Sequence, residues 1–161
     1  MITGIIAGAI MAVMIPKMAN VSNFIPTNEM VYAGSNYYIE LEDSDIDLMA
    51  RVVMSEAGGE SDDCKEAVAT VILNRMFSPK YPNTISEVIY QRGAFSTADN
   101  GEPTEACYLA IYSALTYYGS DSAIVPYCCY YFRGGHYHGF AQDYCKIDNL
   151  YFSIPKDACI N

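Results

Sequence analysis

Apolar positions change their period several times along the chain. Residues 2–15 are apolar apart from Thr3, Gly4 and Gly8, and Pro16 and Lys17 end the run. The run is shorter than the roughly 20 residues a membrane-spanning helix needs. It resembles the apolar part of a secretory signal, although no Lys or Arg precedes it and no A-x-A site follows. The alternative is a helix that packs on the domain. Residues 1–17 therefore read as a signal-like or anchoring segment, implying export or membrane association. Residues 18–43 are polar and aromatic by turns without a period, which reads as a linker. Its closing acids, among them Glu40, Glu42 and Asp43, form a solvated lead-in to the positive end of a helix.

The ordered domain is expected over residues 44–161. Ser44-Asp45-Ile46-Asp47 has the form of a capping box, after which Ile46, Met49, Ala50, Val53 and Ala57 recur at helical spacing up to Gly58-Gly59. A second helix is predicted from near Asp63, with Ala67, Val68, Val71 and Ile72 inward, running toward Met76 before a turn at 79–82. Thr84-Ile-Ser-Glu87 is another capping box and predicts a short helix. Pro103-Thr104-Glu105 opens a longer one through Leu109, Tyr112 and Leu115 to Gly119. Beyond Gly119 the aromatic and β-branched stretches 126–132 and 147–154 predict two strands joined by a loop bearing glycine and histidine. Helices followed by a small antiparallel sheet make the fold class α+β.

Composition narrows the function. With 161 residues and 52% hydrophobic content, the chain forms one compact domain with an accessory segment, not a disordered tail. Nine basic against 19 acidic residues give −10, which excludes the electrostatic footprint of a nucleic-acid binder. The six cysteines (64, 107, 128, 129, 145 and 159) include no C-x-x-C, so they read as reduced, partly buried thiols, with one or two bridges as the alternative. Fifteen tyrosines and no tryptophan place polar-tipped rings near the sheet, mostly as packing, with a few exposed rings suited to stacking on sugar faces.

Candidate chemistry centres on Glu56. On its helix it lies at the edge of the apolar stripe and in the last turn, so partial desolvation and the negative helix end both favour the protonated carboxyl. A general acid that breaks a glycosidic bond at neutral pH needs that proton. The bland reading is a glutamate ending an amphipathic helix with its head in water. Glu60 is either a second carboxylate or, as we prefer, a cap for the next helix, because Ser61-Asp62-Asp63 already marks a helix start. His136 and His138 lack a third ligand at a recognisable spacing and read as a surface loop; no metal and no cofactor is expected. Cys128, Cys129 and Cys145 share a region with both histidines, which leaves a cysteine peptidase as a remote option. Asn74 and Arg75 read as a packing and capping pair at the end of the second helix.

The wording of the chain carries further. Glu56-Ala-Gly-Gly-Glu60, then Ala67-Val-Ala-Thr-Val-Ile-Leu-Asn-Arg75, Tyr81-Pro-Asn-Thr-Ile85, Val88-Ile-Tyr-Gln91, Gly93-Ala-Phe-Ser96 and Tyr130-Tyr-Phe132 resemble, in order, the cell-wall hydrolase family typified by the catalytic domain of spore cortex-lytic enzymes. The likeness runs from about residue 48 to 152. It implies a lysozyme-like domain that cuts peptidoglycan glycan strands between N-acetylmuramic acid and N-acetylglucosamine, with Glu56 as the catalytic acid. It further implies lytic transglycosylation, in which one carboxyl suffices, and substrate positioning by Gln91, Phe95, Ser96 and Tyr131. The chain departs from the family in having no tryptophan, in Gly58 at the third place of the first block, and after Gly134. The resulting expectation is a monomeric, exported or wall-associated enzyme of a spore former or a phage. A hydrolytic muramidase and a catalytically silent wall-binding module are the alternatives.

Overall fold

A computed structural model of the protein describes residues 41–95 and 101–157, and the backbone alone of 31–33 and 37–39. The apolar run at 2–15, Ser96 and Cys159 lie outside the described residues. The element order is β1 (Val31–Ala33), β2 (Tyr37–Ile39), α1 (Asp43–Ala57), α2 (Asp62–Phe77), α3 (Ile85–Ile89), α4 (Glu105–Tyr117), β3 (Tyr131–Gly134), β4 (Gln142–Ile147) and β5 (Leu150–Ile154). Helices precede a three-stranded antiparallel sheet of order β3-β5-β4, so the α+β class holds. The stretch read as a linker contains an antiparallel pair, β1 with β2, and β1 runs beside α4.

Helix α1 begins two residues before the expected cap. Glu42 is the N-cap, and the Asp45 carboxylate accepts a 3.3 Å hydrogen bond from the Glu42 amide. Met49, Ala50, Val52, Val53 and Ala57 face inward. The cap of α3 falls where its capping box put it, Thr84 Oγ1 accepting from the Glu87 amide at 3.3 Å, whereas α2 is capped by Ser61, ahead of the expected start near Asp63, with Ser61 Oγ accepting from the Cys64 amide at 3.3 Å. Helix α2 is buried nearly all round, from Cys64 through Arg75, as befits a central helix that packs against α1, α3 and α4. The amphipathic stripe read from the sequence understates this. A phenol links α1 to α4, since Tyr108 Oη donates to Asp47 Oδ1 at 2.8 Å while Arg51 Nε donates to Oδ2 at 2.9 Å.

The sheet departs most from expectation. Residues 126–130 are not a strand, and the chain enters β3 only at Tyr131. The second expected strand straddles a turn at Asp148-Asn149, where Asp148 has a φ of 48°. Aspartate tolerates that left-handed backbone state better than most residues. Only Ile147 of the expected strand belongs to β4, an edge strand whose exposed polar residues gave no strand signal, and residues 150–154 form β5. The central strand β5 buries Leu150, Phe152, Ser153 and Ile154, and Phe152 pairs with Phe132 of β3 and Cys145 of β4.

Phe152 is fully buried. Phe152→Ala is expected to cost about 3–5 kcal/mol in urea unfolding, the usual range for a core aromatic. At Asp47 the Arg51 hydrogen bond, helped by Tyr108 and opposed by burial, holds the carboxyl below its ordinary 3.8. A folded pKa below the unfolded one gives stability that is complete above about pH 4 and fades as pH falls through the depressed value. Tyr108→Phe is expected to raise the Asp47 pKa in an NMR titration and to shift this acid loss upward.

Candidate active site

Glu56 sits half-buried in the last turn of α1, between Ser55 and the buried Ala57. Across from it, near the end of α2, Arg75 is 8% exposed. Burial lowers the Arg75 pKa, while Tyr81, Tyr131, Cys129 and the Glu56 carboxylate all act to hold the charge. Glu56 thus lies in the field of a buried cation. The Arg75 guanidinium carbon stands 4.9 Å from the Phe95 ring centroid and 5.5 Å from that of Tyr81. Both rings are in cation–π range. Burial, then a hydrogen bond with Tyr131, keeps the Tyr81 phenol protonated. The rings continue through Tyr81–Tyr130 at 5.3 Å, Tyr130–Tyr131 at 6.3 Å and Phe95–Phe132 at 6.2 Å.

Of the residues expected to bind substrate, Phe95 and Tyr131 belong to this cluster. Gln91 is exposed on the turn after α3, where its carbonyl accepts the Ala94 amide at 2.9 Å. Arg75 and Asn74 were read as a packing and capping pair. They do pack, but the carbonyls they satisfy belong to another segment: Asn74 Nδ2 donates to Pro126 and Cys129, and Arg75 Nε to Tyr130, all at 2.9 Å. A signal for Arg75 was present in the sequence, since apolar residues flank it on both sides along α2 and a cation so placed is buried. Tyr81 carried no comparable signal.

Glu60 neither caps α2 nor stands as a free second acid. Its carboxylate accepts Asn149 Nδ2 at 3.0 and 3.2 Å and the Asn149 amide at 3.4 Å, while Asp148 Oδ2 accepts the Ser61 amide at 2.8 Å. These crossed bonds clip the α1–α2 turn to the β4–β5 turn. Cys64 lies between them, its thiol pushed up to about 12 by burial and by the two acids. Burial likewise raises Cys128 and Cys145, and takes Cys129 to about 12. Cys128 and Cys129 sit in the loop before β3 rather than in a strand. The five described cysteines are free. Thiols held so firmly protonated make poor nucleophiles. His138, half-buried, places Nε2 3.3 Å from the Phe132 carbonyl, whereas His136 is exposed. A cavity of about 430 Å³ between α2, the end of α4 and Tyr127 shares no lining residue with the Glu56 cluster.

Residues 59–153, more than half of the chain, match the family model described as Cell Wall Hydrolase. The chain belongs to the cell wall hydrolase family. The match begins three residues after Glu56. Among curated proteins the chain is similar to the spore cortex-lytic enzyme of Halalkalibacterium halodurans, 43% identical over 77 residues covering 45% of this chain and 23% of the relative. It is also similar to that of Bacillus subtilis, 34% identical over 98 residues covering 52% and 32%. The chain thus spans about a quarter to a third of the length of these relatives. Among solved structures it resembles the catalytic domain of the Bacillus cereus SleB protein, with a TM-score of 0.59, 27% identity, and coverage of 75% of this chain and 94% of that one. The catalytic domain of the germination-specific lytic transglycosylase SleB from Bacillus anthracis gives 0.59, 28%, 70% and 96%. The lysozyme-like α+β architecture implied by the sequence motifs is therefore present.

Removing the Arg75 side chain leaves the Tyr130 carbonyl without its donor. Arg75→Met is expected to cost about 1.5–3 kcal/mol in urea unfolding, the range for a hydrogen bond from a charged group. Arg75→Lys recovers only part of this, because an ammonium lacks the planar face that stacks between Phe95 and Tyr81.

Proposed function

We propose that this domain degrades peptidoglycan by lytic transglycosylation, with Glu56 as its single acid and base. The observation that carries the reading is one half-buried carboxyl in the last turn of α1, in the field of a buried arginine that packs on aromatic rings, in a member of the cell wall hydrolase family. Glu56 gives its proton to the glycosidic oxygen that leaves C1 of the muramyl residue. The same carboxylate then takes the proton of the muramyl 6-hydroxyl as that oxygen bonds to C1. The C1–O bond to the departing sugar is replaced by the anhydro bond, the proton returns to Glu56, and no water is consumed.

This route suits a site whose neighbouring acid is engaged elsewhere, because Glu60 is held by Asn149 and a water-activating carboxylate is not required. Phe95 and Tyr131 flank the reacting sugar in this scheme, and Gln91 and Ser96 are assigned to substrate positioning on the family motif. Arg75 positions the aromatic cluster through its contacts with Phe95 and Tyr81. The proposal includes a monomer acting at the cell wall or spore cortex. Among the described residues no helix is long and apolar enough to cross a membrane.

Digests of purified peptidoglycan are expected to release anhydro-muramyl ends, identified by mass spectrometry. Reducing muramyl ends in their place would point to attack by water. Glu56→Gln keeps the shape and removes the proton, and is expected to lower the rate by about 10²–10⁴-fold, the usual contribution of a general acid. Full activity in that variant would remove Glu56 from the mechanism.

A further inference from the structure

We propose that Phe140 and His138, beside Tyr131, form a stacking platform that grips one N-acetylated pyranose ring of the glycan strand next to Glu56. The proposal rests on the glycosidase reading above. Phe140 is 64% exposed. Exposure of a single ring is ordinary; what sets this one apart is the company it keeps. The ring is held in place. It meets Tyr131 edge-on, 5.2 Å between centroids at 87°, and lies 4.9 Å from His138 at 39°. His138 is in turn 6.0 Å from Tyr131.

The loop that carries these rings is pinned at three points. His138 Nε2 meets the Phe132 carbonyl at 3.3 Å, the Ala141 amide donates to the His138 carbonyl at 3.1 Å, and Lys156 Nζ donates to the Gly139 carbonyl at 3.2 Å. Rings fixed before binding lose little freedom when a ligand arrives. The platform is continuous with the candidate active site, because Tyr131 hydrogen-bonds Tyr81 and, like Glu56, contributes to the field at Arg75.

The surroundings favour a sugar over an apolar protein partner. The exposed residues of the same segment, Arg133, Gly134, Gly135, His136 and Gly139, include no aliphatic side chain. A pyranose presents C–H groups to an aromatic face and hydroxyls outward, which matches an isolated ring set among polar residues. Charge points the same way. Residues 41–129 hold fourteen acidic against five basic side chains, whereas residues 130–157 hold three of each. A strand bearing carboxylates on its peptide stems is repelled by the helices and not by this face.

Phe140→Ala tests the platform, with a thermal melt to verify the fold. In a Glu56→Gln background, half-saturation in cosedimentation with purified peptidoglycan is expected to rise about three- to tenfold, the worth of one aromatic contact. Phe140→Tyr is expected to restore it. With Glu56 present, soluble glycan tetrasaccharides are expected to show a raised KM and an unchanged kcat. Unchanged half-saturation in a folded Phe140→Ala protein overturns the proposal, as does an equal loss in Phe140→Tyr or a fall in kcat alone. If the wild-type protein cleaves nothing, the glycosidase reading fails and the binding comparison still decides the platform.

Discussion

Two side chains near the end of α2 hold the segment that takes the chain from helices into sheet. Three carbonyls in residues 126–130 accept from Asn74 and Arg75; no ladder is available to them, and the Pro126 carbonyl is shared with a turn bond from the Cys129 amide at 2.8 Å. A buried acceptor left without a donor costs more than a made hydrogen bond returns, so the path of this segment is dictated by α2. Tyr131 follows directly and opens β3. The place of its ring, and with it Tyr81, His138 and Phe140, is inherited from those bonds. Asn74 serves the segment at some expense, for its Oδ1 is buried without a hydrogen-bond partner among the described residues.

The same bonds show where the sequence was legible. A capping box was enough for α3, where a local side-chain to backbone bond sets the start, and apolar spacing was enough to find α2 and α4, though not to show that α2 is buried nearly all round. Residues 126–132 are aromatic and β-rich, yet only the last two enter a strand. The competing demand comes from 52 to 55 residues away in sequence, which no local pattern reports. Strand β4 failed in the opposite direction: on an exposed edge it needs no apolar alternation, so its period is invisible. At the candidate site the motif picked out Glu56, Phe95 and Tyr131. Arg75, which joins them, was hidden by the ordinary expectation that a cation near a helix end serves its own carbonyls.

Glu60 illustrates why an acid four residues from another need not be its chemical partner. The α1–α2 turn separates the two, and Glu60 is drawn toward the β4–β5 turn by two donors on one asparagine. Asp148 answers across the same gap through the Ser61 amide. Both carboxylates are committed to joining the sheet to the helices, which leaves Glu56 as the acid beside Arg75. In the proposed mechanism fold and chemistry are divided between different acids, and the one-carboxyl route follows from that division.

A net charge of −10 looks unsuited to a polymer that is itself anionic, and the distribution of charge removes the difficulty. The excess of acid lies on the helical part of the chain, while the sheet and its loops balance. Screening confines repulsion from exposed carboxylates to about 8–10 Å at ordinary ionic strength. On the proposed path along the rings of Tyr131, His138 and Phe140, a strand follows the charge-balanced segment, and the acids of the helical segment act mainly on its orientation. In that complex the carboxylate-bearing stems would turn away from the helices, with the sugar backbone toward Glu56.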